Sequence, residues 1–306
     1  VAGWTAADIP DQSGRTAVVT GANSGLGYCT ARELARHGAR VVLGCRDQAR
    51  GRTALDRIRA EVPDADLVLA PLDLADLASI RSFAEEYPPD GLDLLVNNAG
   101  VMALPRRTTA DGFETQFGVN HLGHFALTGL LLPKLLARPG ARVVSVSSGL
   151  HVLGNPDFGD LNSERAYHRW LAYGRSKSAN LLFTHELARR AEAAGADLVA
   201  TAAHPGYAST NLTTAGARME GRRTRERLAA LGDRLFAQSP DAGALPTLYA
   251  ATAAGVRPNS FHGPRFLSWR GSPAPSWRAR RTRDDKPAEL LWSASEQLTK
   301  VRFPEF

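Results

Sequence analysis

Over its first 200 residues the chain alternates short β-branched runs with longer stretches of helical periodicity, and this alternation narrows the accessible folds more than any other feature. Strands are expected at 16–20, 40–44, 67–71, 92–96, 142–147 and 198–203, with helices between them at 26–37, 48–61, 77–87, 113–137 and 173–194. Several strands are apolar without alternation, as needed when helices cover both faces of a sheet. The expected class is α/β, a doubly wound parallel sheet. Beyond residue 205 the pattern changes. Residues 208–234 mix Thr, Gly and Arg, and the Pro/Gly/Arg-rich run from 254 to 287 reads as irregular, with helices expected at 241–254 and 290–298. A length of 306 residues would admit two domains at roughly 150 each. No repeat or linker composition divides the chain, so one domain is expected: a core over 14–205, and 206–306 as a substrate lid and C-terminal extension.

Composition excludes several function classes. With 43% hydrophobic and 22% charged residues the chain is globular and has a substantial core. Its 37 basic and 31 acidic residues leave a net charge of +6, too mild to indicate nucleic acid or a membrane surface as partner. Two cysteines, Cys29 and Cys45, do not make a disulfide scaffold and fit a reducing, cytoplasmic setting. The start, with Asp8, Ile9 and Pro10, lacks the basic flank and apolar run of a secretion signal. The most apolar stretch, 125–137, contains Pro133 and Lys134 and is too short to cross a bilayer of about 30 Å, so no membrane anchor is expected.

The strongest local signal is Thr20-Gly21-Ala22-Asn23-Ser24-Gly25-Leu26-Gly27, between the first strand and the first helix. Such glycines let the backbone turn tightly and approach a pyrophosphate, whose charge is favoured by the free N–H groups and dipole of the helix N-terminus. Glycines also serve ordinary turns, so the strand-turn-helix context carries the reading. After the second strand, where a dinucleotide's adenosine ribose would be read, stands Cys45-Arg46-Asp47. Arg46 suits the 2′-phosphate of NADP with its planar fork, whereas an acid there would favour NAD. Asp47 has an alternative role as the cap of the following helix. Asp73, with Leu74 beside it after the third strand, is placed to accept from the adenine amino group or to cap a helix.

Tyr173-Gly174-Arg175-Ser176-Lys177 sets a phenol and an ammonium four residues apart, on one face of a helix. Ser147-Ser148 ends the strand before it, Asn120 opens the long helix at 113–137, and Asn97-Asn98-Ala99-Gly100 ends the fourth strand. In this order the motifs resemble those of the short-chain dehydrogenase/reductase family over roughly residues 14–210. The resemblance implies a Rossmann-type sheet, with Tyr173 as acid/base, Lys177 lowering its pKa and holding the nicotinamide ribose, Ser148 orienting the carbonyl or alcohol, and Asn120 supporting a water-mediated proton relay. Of the two serines, Ser148 is the one expected to face the nicotinamide and Ser147 to point away. A free phenol titrates near 10, so a phenolate at neutral pH needs roughly 4 kcal/mol of preferential stabilisation.

By the same resemblance the cofactor, NADP(H) in preference to NAD(H), lies along Gly21, Asn23, Ser24, Gly25, Leu26, Gly27, Arg46, Asp73, Leu74, Asn97, Ala99, Gly100, Tyr173 and Lys177, and along Pro205, Gly206 and Thr210 after the sixth strand. A joining role between strands is an equal expectation for Asn98. The interval of 25 positions from Ser148 to Tyr173 is long for the family, and its insert carries His151, Phe158, Tyr167 and Trp170. Together with the glycine turn and Cys45-Arg46-Asp47, it is similar to the retinol-dehydrogenase-like and protochlorophyllide-reductase-like branch, which implies a bulky, apolar carbonyl or alcohol substrate.

Other signals read as structure. His121 and His124 share a helix face without a carboxylate or cysteine for company, so no metal is expected. No Gly-x-Ser-x-Gly elbow is present. Arginines 218, 222, 223, 225 and 227 make either a solvated face or a mobile lid, and the cluster Arg278, Arg280, Arg281, Arg283 stays open in the same way. The expected activity is interconversion of a ketone or aldehyde with an alcohol, in a secondary-metabolic setting. The alternatives are a non-redox isomerase, dehydratase or cyclase on the same scaffold, and a non-catalytic dinucleotide sensor. Association through the two long helices allows a homo-oligomer, and monomer, dimer and tetramer all fit the sequence.

Overall fold

The computed structural model describes residues 3–88, 90–206, 238–304 and 306. The six expected strands form as β1 (Thr16–Thr20), β2 (Arg40–Cys45), β3 (Leu67–Pro71), β4 (Leu94–Asn97), β5 (Ala141–Val146) and β6 (Leu198–Ala203). Every residue of β1 is buried, as is all of β2 but its first, because helices pack on both faces. These are α1 (Gly25–Arg36), α2 (Gln48–Glu61), α3 (Leu77–Glu86), a single turn α4 (Thr115–Phe117), α5 (Gly123–Leu136), α6 (Arg169–Ala193), α7 (Pro240–Thr252) and α8 (Asp285–Thr299). Local chemistry starts several of them. Asp47 accepts the Arg50 N–H at 3.0 Å, Asp76 accepts the Ala78 N–H at 2.9 Å, and Ser239 caps α7 with Pro240 in its first turn.

Two further strands, β7 (Phe261–Phe266) and β8 (Arg270–Pro275), complete an eight-stranded sheet in the order β3-β2-β1-β4-β5-β6-β7-β8. All pairings are parallel except β7 with β8. This corrects the irregular reading of 254–287, which rested on its prolines. β7 pairs with β6 only at Phe261 and His262, so Pro264 lies past the register where both neighbours need hydrogen bonds, and Pro273 and Pro275 sit on the edge strand. The turn joining them is closed by the Trp269 N–H on Phe266 O, with Leu267 and Ser268 at φ 50° and 56°. That left-handed pair normally advertises itself as Asn-Gly, and its absence hid the hairpin.

One helical layer, α1, α2 and α7, buries Leu34, Leu55, Ile58 and Leu248 against the sheet. On the other face α3, α5, α6 and α8 bury Phe83, Phe125, Phe183 and Trp292. The helix expected at 113–137 is interrupted between α4 and α5 by a π-helical turn, Gly118–Leu122, that contains Asn120. The helix expected from 173 begins at Arg169, so Tyr173 stands inside α6 and not at its mouth.

Candidate active site

Strand order reverses between β1 and β4, and the crevice outside the carboxyl ends of these strands is where doubly wound sheets take ligands. A cavity of about 290 Å³ occupies this place. Its floor is the turn at 21–24. Gly21, at φ +67°, comes so close to β4 that a Cβ would lie 3.0 Å from that of Ala99. At Gly27 a Cβ would meet Gly21 O at 2.4 Å, which is why α1 can start directly on the strand. Ser24, the N-cap of α1, makes no side-chain bond to the first turn. This end of α1 therefore offers its N–H groups and dipole to an anion in the crevice. At the other end of the cavity are two guanidiniums, Arg46 and Arg50. The donor set fits a dinucleotide: a glycine cradle and helix N-terminus for the pyrophosphate, and cations beyond the end of β2.

Thr20 ties this floor together. Its Oγ1 accepts the N–H groups of Asn98 and Ala99, both at 2.9 Å, and lies 2.9 Å from His124 Nε2. Asn98 returns the connection by donating from Nδ2 to Thr20 O at 2.7 Å, the joining role expected of it. His124 Nδ1 lies 3.0 Å from Asn120 O, and His121 Nε2 lies 2.9 Å from Ser295 Oγ. Burial pushes His121 down to about 3 and His124 to about 4, so both rings are neutral structural groups.

Tyr173 and Lys177 line the crevice from α6. The Lys177 Nζ is 5.8 Å from the Tyr173 ring centroid and donates to Val146 O at 3.0 Å. Both are buried, at 7% and 4% exposure. Burial pushes the Tyr173 phenol up to about 12, with a hydrogen-bonding contact from Ser148 pulling the other way. Burial also lowers Lys177 to about 8. Ser147 instead donates to Lys177 O at 2.8 Å and holds β5 on α6. Ser148 Oγ accepts the Leu150 N–H at 3.2 Å, which leaves its own hydrogen free to point toward Tyr173.

The residues singled out in the sequence are distributed as follows. Gly21, Asn23, Ser24, Gly25, Leu26, Gly27, Arg46, Asp73, Leu74, Ala99, Gly100, Tyr173, Lys177 and Pro205 line the cavity. Asp73 also accepts the Ala75 N–H at 3.0 Å. Ser148 is not among the residues lining the cavity, whereas Ser147, expected to point away, is one of them; Ser148 caps the following 3-10 turn through the Leu150 N–H. Asn120 is buried behind it: its Oδ1 accepts the Val101 N–H at 2.8 Å, and its Nδ2 donates to Val101 O and to Ser176 Oγ, each at 2.9 Å. The carboxamide thus clamps the loop after β4 to α6. Asn97 points the other way along the strand and donates to Thr128 Oγ1 at 3.0 Å, so its side chain lies away from the crevice. Gly206 lies just beyond Pro205, at φ +66° with its N–H on His204 Nδ1. Thr210 and the arginines at 218–227 lie outside the described residues. Thr20 and Arg50 were missed. Thr20 gave no signal beyond a hydroxyl at a strand end, whereas Arg50 stands in the first turn of α2, just past the Arg46 that follows β2.

A family model described as short chain dehydrogenase matches residues 15–221. The chain belongs to that family. Short-chain dehydrogenases are enzymes that use NAD(P)(H), and the crevice carries the donors such a cofactor requires. Mouse retinol dehydrogenase 12 is 43% identical to this short-chain dehydrogenase over 295 residues, which cover 95% of the chain and 88% of the relative. Mouse polyprenol dehydrogenase is 42% identical over 297 residues, covering 95% and 85%. The crystal structure of an uncharacterised protein from Mycobacterium paratuberculosis superposes with a TM-score of 0.82 at 48% identity and covers 99% of both chains.

The charged side chain of Lys177 is held in this site against its own solvation. Its value of about 8 lies below the ordinary 10.5, so the folded state binds fewer protons than the unfolded state between these two values. Stability from this group therefore rises with pH across that window, and the deficit is full below about 8. Lys177→Met is expected to raise the melting temperature at pH 7, by up to about 3 kcal/mol of stability, with the gain shrinking toward pH 10.5. Calorimetry of both proteins at the two pH values checks it, and an equal or lower melting temperature for the variant at pH 7 would contradict it.

Proposed function

We propose that this short-chain dehydrogenase takes NADP(H) and interconverts an apolar alcohol with its aldehyde or ketone. The observation that carries this reading is Tyr173 and Lys177 together on the wall of the glycine-floored crevice, with the Lys177 Nζ 5.8 Å from the Tyr173 ring centroid. Burial keeps the Tyr173 phenol protonated through neutral pH, so it serves as proton donor to a carbonyl oxygen, with the Ser148 hydroxyl as a second donor. The Lys177 ammonium, 5.8 Å from the ring centroid, favours the phenolate left behind through its opposite charge. Bound in the crevice, NADPH supplies the hydride for the carbonyl carbon. In the oxidative direction Tyr173 would take the alcohol proton as a phenolate, which requires the Lys177 ammonium and the positive charge of bound NADP+ to offset the effect of burial. Asn120 contributes by position, holding the loop after β4 against α6.

Two features support the cofactor and substrate class. Arg46 and Arg50 both line the cavity, and Asp47, which lines it too, spends its carboxylate on the Arg50 N–H and sits 3.4 Å from the Arg50 Nε. The region after β2 therefore favours a 2′-phosphate over a bare ribose hydroxyl. Val152 and Leu153 follow Ser148, and Trp170 precedes Tyr173. They remain 43%, 46% and 42% exposed, so the segments that carry Ser148 and Tyr173 present apolar side chains to solvent. The relatives named above for retinol and polyprenol carry names of apolar alcohols.

The test is the purified protein with NADPH or NADH and a panel of apolar aldehydes and ketones, followed at about 340 nm and by product mass. NADPH consumption with a product heavier by two hydrogens is the expected result. Product without net cofactor consumption, or no product despite NADPH binding, would replace this reading. Substituting Arg46 and Arg50 together by Ala is expected to raise the KM for NADPH roughly 10- to 100-fold, the loss of one or two charge-assisted hydrogen bonds, and to leave NADH kinetics unchanged. An equal effect on both cofactors would remove the two arginines from cofactor choice.

A further inference from the structure

One buried imidazole ties the Ser148 turn to the C-terminal part of the chain. His151 is 1% exposed and lies in the 3-10 turn Gly149–Leu153, directly after Ser148. Its backbone N–H donates to Ser148 O at 3.1 Å, and its Nδ1 lies 2.8 Å from the same oxygen. On the opposite side of the ring, Nε2 accepts the Ala279 N–H at 3.1 Å. An amide N–H only donates and a carbonyl oxygen only accepts, so these partners require the neutral ring with its hydrogen on Nδ1.

The surroundings keep it neutral. Burial lowers the His151 pKa from its ordinary value, the Ser148 carbonyl partly restores it, and Arg281 and Arg278 oppose protonation. His204, facing it from the end of β6, is itself pushed down to about 4 by burial. Phe261 and Trp277 pack on the ring with centroids 5.7 and 6.0 Å away. Arg281 closes the junction by donating to Val152 O at 2.6 Å, and the buried Arg278 donates to Asn259 Oδ1 at 2.9 Å and Thr282 O at 2.8 Å. Two members of the arginine cluster at 278–283 are thus part of this junction.

We propose that His151 is a positioning residue: as a neutral ring it clamps the Ser148 turn to the 277–283 segment and so holds the Ser148 hydroxyl in the orientation that meets Tyr173. Two donors on the Ser148 carbonyl fix that peptide plane. The plane in turn sets where the Ser148 Cβ points, while the Leu150 N–H takes an Oγ lone pair. The inference rests on the assignment of Ser148 and Tyr173 to the reacting oxygen.

His151→Phe keeps the ring volume and loses both hydrogen bonds, whereas His151→Asn keeps a donor within reach of Ser148 O. At saturating NADPH and one accepted aldehyde, kcat is expected to fall roughly 10- to 100-fold in H151F, as for a misplaced reacting group. The KM for NADPH should stay within about twofold, and H151N should recover most of kcat. A wild-type kcat in H151F, even with a lower melting temperature, overturns the clamp, as does an H151N no better than H151F. If H151F does not fold, H151N is compared with His151→Gln, which can reach Ala279 but not Ser148 O. A kcat in H151Q equal to or above that of H151N overturns the proposal. Ser148→Ala is measured alongside. Full turnover in S148A removes the assignment of Ser148 itself, whereas a slow S148A with an unaffected H151F counts against the clamp alone.

Discussion

Tyr173→Phe is expected to lower kcat by about 10²- to 10⁴-fold in both directions, the usual contribution of a positioned proton donor, while NADPH affinity changes little. The substitution removes one oxygen from a side chain 7% exposed and preserves its packing, so the fold survives. What is lost is the only atom of that side chain able to exchange a proton with substrate, together with its contact to Ser148. Steady-state rates with NADPH and an accepted aldehyde, set beside a fluorescence titration of NADPH, separate chemistry from binding. Near-normal turnover in the variant would remove Tyr173 from the reaction and with it the reading of the site.

Trp292→Ala is expected to destabilise the protein by about 3–5 kcal/mol, the range for removing a large aromatic from a packed core. Trp292 is 2% exposed and packs against Phe125, Phe183 and Phe303, with ring centroids 5.2, 5.8 and 4.3 Å away. Its Nε1 donates to Glu296 at 3.1 Å, and the Arg190 guanidinium lies 4.4 Å above the ring. The truncated side chain leaves a cavity between α5, α6 and α8 that a helix layer cannot collapse without shifting Phe183, itself on the helix that carries Tyr173 and Lys177. Chemical denaturation of the two proteins measures the loss. A change below about 1 kcal/mol, the scale of a surface substitution, would show that α8 is dispensable to the core.

Much of the architecture was legible because it is written in local periodicity. Six strands fall within two or three residues of their expected places, since a buried parallel strand is a β-branched run bounded by polar turns. The hairpin of β7 and β8 was not legible. Its prolines are tolerated only because one strand leaves its neighbour after two residues and the other is an edge, and neither fact is local. The π-helical turn at Asn120 escaped for a similar reason. Its residues have ordinary helical periodicity, and only the bonds from Asn120 to Val101 and Ser176 show what holds it.

By itself the sequence determined the doubly wound sheet, the glycine turn before α1 and the set of groups gathered at the carboxyl ends of the strands, because strand ends and helix starts are specified by neighbouring residues. Only the tertiary structure decided which of two adjacent residues faces the crevice. Asn98 lines it while Asn97 turns to Thr128, and Ser147, expected to point away, lines it while holding the backbone of Lys177, with Ser148 capping the turn that follows. The alternation of a strand puts such neighbours on opposite sides, but the side that becomes the crevice depends on sheet order and on the helices packed around it. The same holds for the C-terminal arginines, whose cluster at 278–283 stays open between a solvated face and a lid until Arg278 and Arg281 are seen bonded into the junction with the Ser148 turn.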